Sequence, residues 1–378
     1  MPDKNPLHEL HPLGQSVWLD YIRRGMLESG ELEEMIRRYD LRGVTSNPSI
    51  FEQAIGDSDD YDEELSSLAS DGADADRAFE TVAVADIQRA CDLFRSVYDA
   101  AGGHDGLVSI EVSPTLADDT EKTLEDARRL WKSVDRPNVM IKVPGTEAGI
   151  PAIETLLSEG INVNITLLFS IAGYERVMEA FLRGMERRAE AGQPLDRVAS
   201  VASFFVSRVD SAVDAALDKI AEGGGEKAEK ARSLKGRAAV ANAKLAYARF
   251  QEIFSGERWE RLAAKGAKVQ RPLWASTSTK NPEYRDVIYV EELIGPHTVN
   301  TMPLNTIEAF ADHGVAKRTV DQDVDRARAD LAALRELGID LDDVTEKLQV
   351  EGVEKFAKSF RQMLDVVGQK LARVAHAG

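Results

Sequence analysis

The chain has 378 residues, and its 65 acidic and 47 basic side chains give a formal net charge of −18 at pH 7. Hydrophobic residues make up 43% of the chain and charged residues 30%, which excludes a largely disordered protein. A pI near 4.9 argues against nucleic acid or an anionic membrane surface as the main partner. A small anionic substrate needs only a local basic pocket and is not excluded.

The sequence lacks the common signatures of secretion, metal binding and nucleotide binding. Cys91 is the only cysteine, so no intramolecular disulfide can form, and we expect it to be a small buried residue on a helix. The residues before Gly14 are polar and interrupted by prolines, and no apolar run reaches the ~18 residues of a membrane span. The histidines show no metal-ligand spacing, and no glycine-rich nucleotide motif occurs. These features predict a cytoplasmic protein and give no support to a metal site or to a nucleotide-binding loop.

Eight short apolar segments alternate with longer helical patterns, as in Phe79–Val97, where apolar residues return every three or four positions. Such alternation predicts βαβ units and a parallel sheet, and eight units suffice to close a (β/α)8 TIM barrel. An open doubly wound sheet is the alternative, but the glycine-rich first turn that it usually carries is absent. The predicted strands are Ser16–Ile22, Gly43–Asn47, Leu107–Ser113, Asn138–Pro144, Asn162–Phe169, Val198–Val206, Val269–Ser276 and His297–Pro303.

The part of the chain after the eighth predicted strand is helical in pattern. One apolar face runs from Val324 to Leu337 and is followed by Gly338, a typical helix C-cap; a longer face runs from Val353 to Val374. We expect these additional C-terminal helices to pack against the barrel rather than to form a second domain. The predicted organisation is one domain over residues 1–378, with the barrel at about 14–317 and a helical extension at about 318–378.

Polar side chains occupy the carboxyl ends of the predicted strands, where the active sites of α/β barrels lie. A single polar residue at a strand end is commonly a turn former. A set that converges from several strands on one cavity favours a functional site instead. The set comprises Asp20, Asn47, Glu111, Lys142, Asn164, Thr166, Ser203 and Ser276.

Lys142 is a long cation inside the apolar segment Val139–Pro144, where burial of an unpaired charge is costly. One interpretation is a structural ion pair with Glu111 or Asp20. The other is a Schiff-base nucleophile, because two nearby carboxylates suit the proton transfers of carbinolamine formation. Without metal ligands, a lysine imine is also the available electron sink for cleaving a carbon–carbon bond beside a carbonyl. Both interpretations remain open from the residues alone, and the combination favours Schiff-base chemistry.

Six segments at these strand ends resemble the transaldolase family and occur in the family's order between Ser16 and about Asn305. The most specific are Thr-Ser-Asn-Pro-Ser, beginning at Thr45, and Asn-x-Thr-Leu-Leu-Phe-Ser, beginning at Asn164. The length and the helical tail resemble the longer bacterial type rather than the compact members. The six segments are Trp18–Asp20, Gly43–Phe51, Ile110–Ser113, Ile141–Pro144, Asn162–Ser170 and Ser203–Arg208.

The resemblance implies an α/β barrel enzyme of the non-oxidative pentose phosphate pathway that uses no metal or organic cofactor. It would transfer a dihydroxyacetone unit from sedoheptulose 7-phosphate to glyceraldehyde 3-phosphate, giving erythrose 4-phosphate and fructose 6-phosphate. The resemblance assigns the Schiff base to Lys142 and the acid/base acting on the C4 hydroxyl to Asp20. It assigns to Glu111 and Thr166 the water that relays protons during imine formation.

The resemblance also implies how the substrate is held. Hydrogen bonds to the dihydroxyacetone hydroxyls fall to Asn47, Asn164 and Ser203. Arg208 is the implied phosphate ligand, since its planar fork suits a phosphate group.

The resemblance defines the roles of three further residues less well. The segment Trp274–Lys280 has no arginine where the compact members place a second phosphate ligand, which leaves Ser276 and Lys280 as candidates. Phe205 lies one strand alternation beyond Ser203, and it either lines the pocket or packs inside the barrel.

Two other functions are considered. A fructose-6-phosphate aldolase-like enzyme would release free dihydroxyacetone by protonating the intermediate. A non-catalytic sugar-phosphate-binding barrel would keep Arg208 and Asn47, but it has no need for Lys142, Asp20 and Glu111 together. The expected partners are small sugar phosphates, with neither nucleic acid nor membrane, and the expected assembly is a monomer or homodimer.

Overall fold

The computed structural model describes residues 5–375. Within this range, eight parallel strands close into a barrel in sequence order, and β8 pairs with β1. The TIM barrel prediction is confirmed, and each predicted strand corresponds to an observed one. The strands are β1 Gln15–Leu19, β2 Leu41–Val44, β3 Leu107–Glu111, β4 Val139–Pro144, β5 Val163–Leu168, β6 Ser200–Phe205, β7 Arg271–Ala275 and β8 Thr298–Met302.

Helices surround the barrel on its outer side, as expected where parallel strands need crossover connections. Two 3-10 helices, Pro6–Glu9 and Pro114–Leu116, accompany the α-helices of the described range. The α-helices are α1 Arg24–Glu28, α2 Glu31–Tyr39, α3 Pro48–Gly56, α4 Asp62–Ser70, α5 Ala75–Leu93, α6 Arg95–Ala100, α7 Thr120–Val134, α8 Gly149–Glu159, α9 Ile171–Glu190, α10 Ser207–Ala221, α11 Gly225–Leu234, α12 Ala238–Ile253, α13 Glu257–Ala263, α14 Ile288–Glu291, α15 Leu304–His313, α16 Val324–Glu336 and α17 Leu341–Ala375.

The strands are apolar along most of their length because both of their faces are covered. Every residue of β4 and β5 is buried, which explains why these segments look uniformly hydrophobic in the sequence. Gly43 in β2 allows the ring of Trp18 to pack on the backbone, since a Cβ atom there would lie 2.6 Å from ring atoms of Trp18. Cys91 is fully buried in α5, as predicted, and burial raises the pKa of its thiol.

A buried ion pair lies at the amino ends of the strands. Arg271 Nη2 is 3.0 Å from Asp105 Oδ1, and both side chains are 4% exposed. Arg271 also donates to Ser16 Oγ over 2.8 Å and to the carbonyl oxygen of His104 over 2.6 Å. In TIM barrels this end serves stability, whereas chemistry takes place at the opposite end. The network therefore joins β1 and β7 to the loop that precedes β3.

The C-terminal helices pack on the barrel. The first, α16, lies against α12 and ends just before Gly338, whose φ of +85° fits its predicted role. The second, α17, packs along α3, α4 and α5, with Met363 and Val367 fully buried. The predicted bounds at residues 1 and 378 lie outside the described residues, and the division of one domain near residue 317 stays a prediction.

The anchors of α17 reach the loops at the carboxyl ends of the strands. Gln349 Nε2 donates to the carbonyl oxygens of Gly145 and Leu167, each over 3.2 Å. Further along α17, Ser359 Oγ accepts a hydrogen bond from Ser49 Oγ over 2.9 Å. These contacts place the first half of α17 across the rim of the barrel.

Candidate active site

A cavity of about 430 Å³ opens at the carboxyl ends of the strands. Its walls come from the strand ends, from the loops that follow them and from α17. The predicted site residues that line it are Asp20, Asn47, Lys142, Thr166, Ser203, Phe205, Arg208, Ser276 and Lys280. The other two predicted residues, Glu111 and Asn164, lie behind this wall and contact the residues that form it.

Lys142 forms part of the cavity wall and pairs with Glu111. Strand register sets Glu111 of β3 opposite Lys142 of β4, and Lys142 Nζ lies 3.3 Å from Glu111 Oε2. Their side chains are only 7% and 4% exposed, and Nζ also donates to the carbonyl oxygen of Ser46 over 3.2 Å. Burial raises the pKa of Glu111, while the charge of Lys142 opposes that shift. The amine therefore faces the cavity beside a carboxyl group poised to exchange protons.

Glu111 and Thr166 carry buried polar atoms that the protein leaves unsatisfied. Within residues 5–375, neither Thr166 Oγ1 nor the two carboxylate oxygens of Glu111 has a hydrogen-bond partner, apart from the Lys142 contact of Glu111. Buried polar atoms normally find partners, and a bound water commonly serves where the protein does not. The two side chains therefore suit the water-holding role that the resemblance implies.

Asp20 is oriented by hydroxyl groups of the neighbouring strands. Its backbone N–H donates to the carbonyl oxygen of Met302 over 2.8 Å, which extends the β1–β8 ladder. Thr45 Oγ1 donates to Asp20 Oδ1 over 2.6 Å and lies equally close to Thr301 Oγ1. These contacts hold the Asp20 carboxylate in one orientation at the cavity wall. Although Thr45 lies in a recognised motif, neither it nor Thr301 was predicted as a site residue.

The amide side chains differ in how they meet the cavity. Asn164 is fully buried in β5, where its Nδ2 donates to Ser109 Oγ over 3.0 Å and its Oδ1 accepts from Ser203 Oγ over 2.7 Å. Asn47 caps α3, because its Oδ1 accepts from the N–H of Ile50 over 3.1 Å. This leaves the amide N–H groups of Asn47 for a ligand in the cavity.

Arg208 lies at one side of the cavity as the second residue of α10. Its guanidinium carbon stands 5.1 Å from the centre of the Phe205 ring, which fixes the orientation of the fork. Phe205 also packs against Phe169 at 5.1 Å, so it both lines the pocket and packs within the barrel. Ser276 Oγ is 2.9 Å from Ser207 Oγ, and Lys280 Nζ donates to Ser278 Oγ over 2.7 Å.

Two residues of α17, Lys355 and Phe356, complete the cavity wall and were not predicted from the sequence. The ring centre of Phe356 lies 5.7 Å from Lys142 Nζ. In the sequence Phe356 is one of several residues of an amphipathic pattern, and Lys355 is an ordinary helix lysine. No local signal distinguishes either one. Their role in the cavity depends on where α17 crosses the barrel.

Residues 5–375 lack both a metal-binding cluster and a membrane-spanning helix. No group of three or more histidine, cysteine, aspartate or glutamate side chains there is arranged to hold a metal ion. Among those residues, no helix combines the length and the apolarity needed to cross a membrane.

The comparisons with known proteins agree on one family. The family model described as Transaldolase/Fructose-6-phosphate aldolase matches residues 17–367. The transaldolase of Parafrankia sp. is 53% identical over 371 residues, covering 98% of this chain and 99% of that protein. The transaldolase of Frankia alni is 51% identical and covers 98% of both chains; that of Thermobifida fusca is also 51% identical and covers 97% of this chain and 99% of its own. With its barrel, its strand-end residues and these matches, the chain belongs to the transaldolase/fructose-6-phosphate aldolase family.

Proposed function

We propose that Lys142 carries the substrate as an imine in the transaldolase reaction that this chain catalyses. A dihydroxyacetone unit passes from sedoheptulose 7-phosphate to glyceraldehyde 3-phosphate and yields erythrose 4-phosphate and fructose 6-phosphate. The observation that carries the proposal is a buried lysine amine that faces the cavity, 3.3 Å from a buried carboxyl group.

In the first step, the neutral amine of Lys142 attacks the ketone carbon of the donor and forms a carbinolamine. Loss of the carbinolamine hydroxyl as water requires a proton donor and leaves the imine. Glu111 suits this exchange, since its carboxyl group lies 3.3 Å from the amine and burial raises its pKa. A water held by Glu111 and Thr166 would relay the protons, as the unsatisfied atoms of both side chains suggest.

In the second step, Asp20 removes the proton of the C4 hydroxyl. The C3–C4 bond breaks, its electrons move into the imine to form an enamine, and the aldehyde product leaves. Asn47 and Ser203, which line the cavity, would bind the dihydroxyacetone hydroxyls, and Asn164 would support Ser203 from behind the wall. The enamine then adds to the acceptor aldehyde, Asp20 returns the proton, and hydrolysis of the new imine releases the ketose product.

Borohydride trapping tests the proposal. Reduction in the presence of fructose 6-phosphate is expected to attach the dihydroxyacetone-derived adduct to Lys142, as located by peptide mapping. The Lys142→Met variant, which keeps an apolar side chain of similar length, should remain folded by circular dichroism, gain no label and show no transfer. A label on any other residue of the wild type would overturn the assignment.

The family description also names fructose-6-phosphate aldolases, which supports a second candidate activity. An aldolase would release free dihydroxyacetone from fructose 6-phosphate without an acceptor aldehyde. We expect product to form only when erythrose 4-phosphate is supplied as the acceptor, with sedoheptulose 7-phosphate measured directly. Equal turnover without the acceptor would favour the aldolase instead.

We also propose that the enzyme acts on sugar phosphates in the cytoplasm and that it is a monomer or a homodimer. Light scattering coupled to size-exclusion chromatography measures the mass of the assembly directly. A mass of about one or two chains of 41.5 kDa agrees with this expectation, and a larger assembly contradicts it.

A further inference from the structure

We propose that Lys355 of α17 is a phosphate ligand of the active site and forms a three-cation cradle together with Arg208 and Lys280. The inference deepens the proposed function and rests on it, because it concerns how sugar phosphates are held during transfer. It gives the C-terminal helix a direct part in substrate recognition. A residue of the helical extension thereby supplies the additional cation in a site where the segment after β7 has no arginine.

The three cations reach the same cavity from three separate elements. Arg208 comes from the first turn of α10, Lys280 from the loop after β7 and Lys355 from α17. Their proximity is visible in their effect on one another. Burial and then the charges of Arg208 and Lys355 lower the pKa of Lys280, so both cations act on its ammonium group.

None of the three forms an ion pair with a carboxylate within residues 5–375, although many other cations of this acidic chain do. Asp20 is the carboxylate that acts on the cluster, since its charge opposes the effect of burial on the pKa of Arg208. Like charges held together and partly removed from water repel one another. A bound dianion would relieve that repulsion, and the cluster is therefore suited to an anionic ligand.

The surroundings of the cluster also suit a phosphate group. Arg208 is the second residue of the fifteen-residue helix α10, whose amino end favours negative charge. The hydroxyl of Ser278 already accepts a hydrogen bond from Lys280, and Ser276 lines the same wall. Phosphate oxygens could thus meet a planar guanidinium, two ammonium groups and a serine hydroxyl.

The position of Lys355 is fixed by the anchoring of α17 rather than by a partner of its own side chain. Gln349 and Ser359 tie the helix to the barrel on either side of Lys355. The adjacent Phe356 is 8% exposed and faces Lys142. Lys358 lies on the same helix and is exposed, but it does not line the cavity, which makes it a matched control.

The test compares Lys355→Met with Lys358→Met. Loss of a charge-assisted contact to phosphate is expected to raise the KM for fructose 6-phosphate about ten- to hundredfold and to change kcat less than KM. The inhibition constant of inorganic phosphate should rise by a similar factor, whereas the KM for unphosphorylated fructose should stay within twofold. Lys358→Met should match the wild type, and Lys355→Arg should restore most of the lost affinity.

The outcomes separate the inference from the proposed function. If both constants of Lys355→Met stay within twofold of the wild type, the cradle assignment is wrong. An equal rise in KM for fructose and fructose 6-phosphate also overturns it, because Lys355 would then act only by holding α17. If the wild type transfers no dihydroxyacetone and takes no label on Lys142, the proposed function itself has failed.

Discussion

Lys142 has three contacts of different chemical kinds. Its ammonium group forms an ion pair with Glu111 and donates a hydrogen bond to the carbonyl oxygen of Ser46. The ring of Phe356 packs over the same ammonium group. Together these neighbours hold the amine at the cavity wall, where it can attack a ketone. The ion pair with Glu111, which was the alternative interpretation of Lys142 from the sequence, is present and lies within the proposed catalytic group.

Asp20→Asn provides a test at the scale of one residue. The amide keeps the size of the side chain, and its oxygen can still accept from Thr45, but it cannot take a proton from the C4 hydroxyl. We expect kcat for transfer to fall by about 10²–10⁴. Borohydride should still trap the imine of intact fructose 6-phosphate on Lys142, because its formation does not depend on Asp20.

Mass spectrometry of the trapped protein distinguishes the full-length sugar adduct from the dihydroxyacetone-derived adduct. The exposed Asp57→Asn variant should retain wild-type turnover and controls for loss of one acidic charge. Absence of any trapped adduct in Asp20→Asn would contradict the proposed role.

At the scale of elements, the strands were predictable and the course of α17 was not. β5 was predicted as Asn162–Phe169 and observed as Val163–Leu168, because a buried parallel strand is a short apolar segment with clear ends. The face Val353–Val374 correctly predicts helix. The helix actually begins at Leu341, and its path is set by packing on α3, α4 and α5, far away in sequence.

The same distinction explains which site residues were predictable. Asp20, Lys142 and Thr166 follow from strand ends, since a closed barrel brings all strand ends together. Lys355 and Phe356 belong to a helix whose docking position no local pattern specifies. Strand register also leaves residues behind the wall, and so Asn164 supports Ser203 rather than facing the cavity.

Met363→Ala tests how firmly α17 is attached. Met363 is fully buried in the core, so its truncation should lower the free energy of unfolding by about 2–5 kcal/mol. The neighbouring exposed residue Gln362 offers a control, and Gln362→Ala should change it by less than about 0.5 kcal/mol. Urea unfolding measured by circular dichroism gives both values. An equal, small effect of the two variants would show that α17 is only loosely docked.

Across the whole molecule, the two ends of the barrel have different electrostatic character. At the amino ends of the strands, Arg271 is neutralised by Asp105 in a buried pair that leaves no charge for a ligand. At the carboxyl ends, Arg208, Lys280 and Lys355 gather without paired carboxylates in the described range. A net charge of −18 is thus compatible with phosphate binding, because these basic side chains make the cavity locally positive.

His104, at the amino ends of the strands, contributes to the pH dependence of the free energy of unfolding. Burial and then the charges of Arg271, Lys268 and His297 lower the pKa of His104 from 6.5 to about 2. Below pH 6.5 the unfolded chain binds a proton at this histidine that the folded protein does not bind, so the contribution of His104 to the free energy of unfolding falls as the pH falls. His104→Gln should make this decline shallower between about pH 6.5 and pH 4.5, with exposed His11→Gln as the control.

Urea titrations at several pH values measure the slope. His297→Gln should act in the same direction, since burial also lowers the pKa of His297. If the free energy of unfolding of His104→Gln falls with pH as steeply as that of the wild type, the assignment to His104 is wrong.

The crossing of α17 over the barrel rim also has a consequence for biosynthesis. The last barrel strand, β8, ends at Met302, whereas Lys355 and Phe356 are translated well after it. A nascent chain that closed its sheet before α17 emerged would still lack one wall of the cavity. The amine of Lys142 would meet cellular aldehydes and ketones without its aromatic cover until α17 docks. Docking of α17, the last helix to be synthesised in the described range, is therefore the step that completes the cavity.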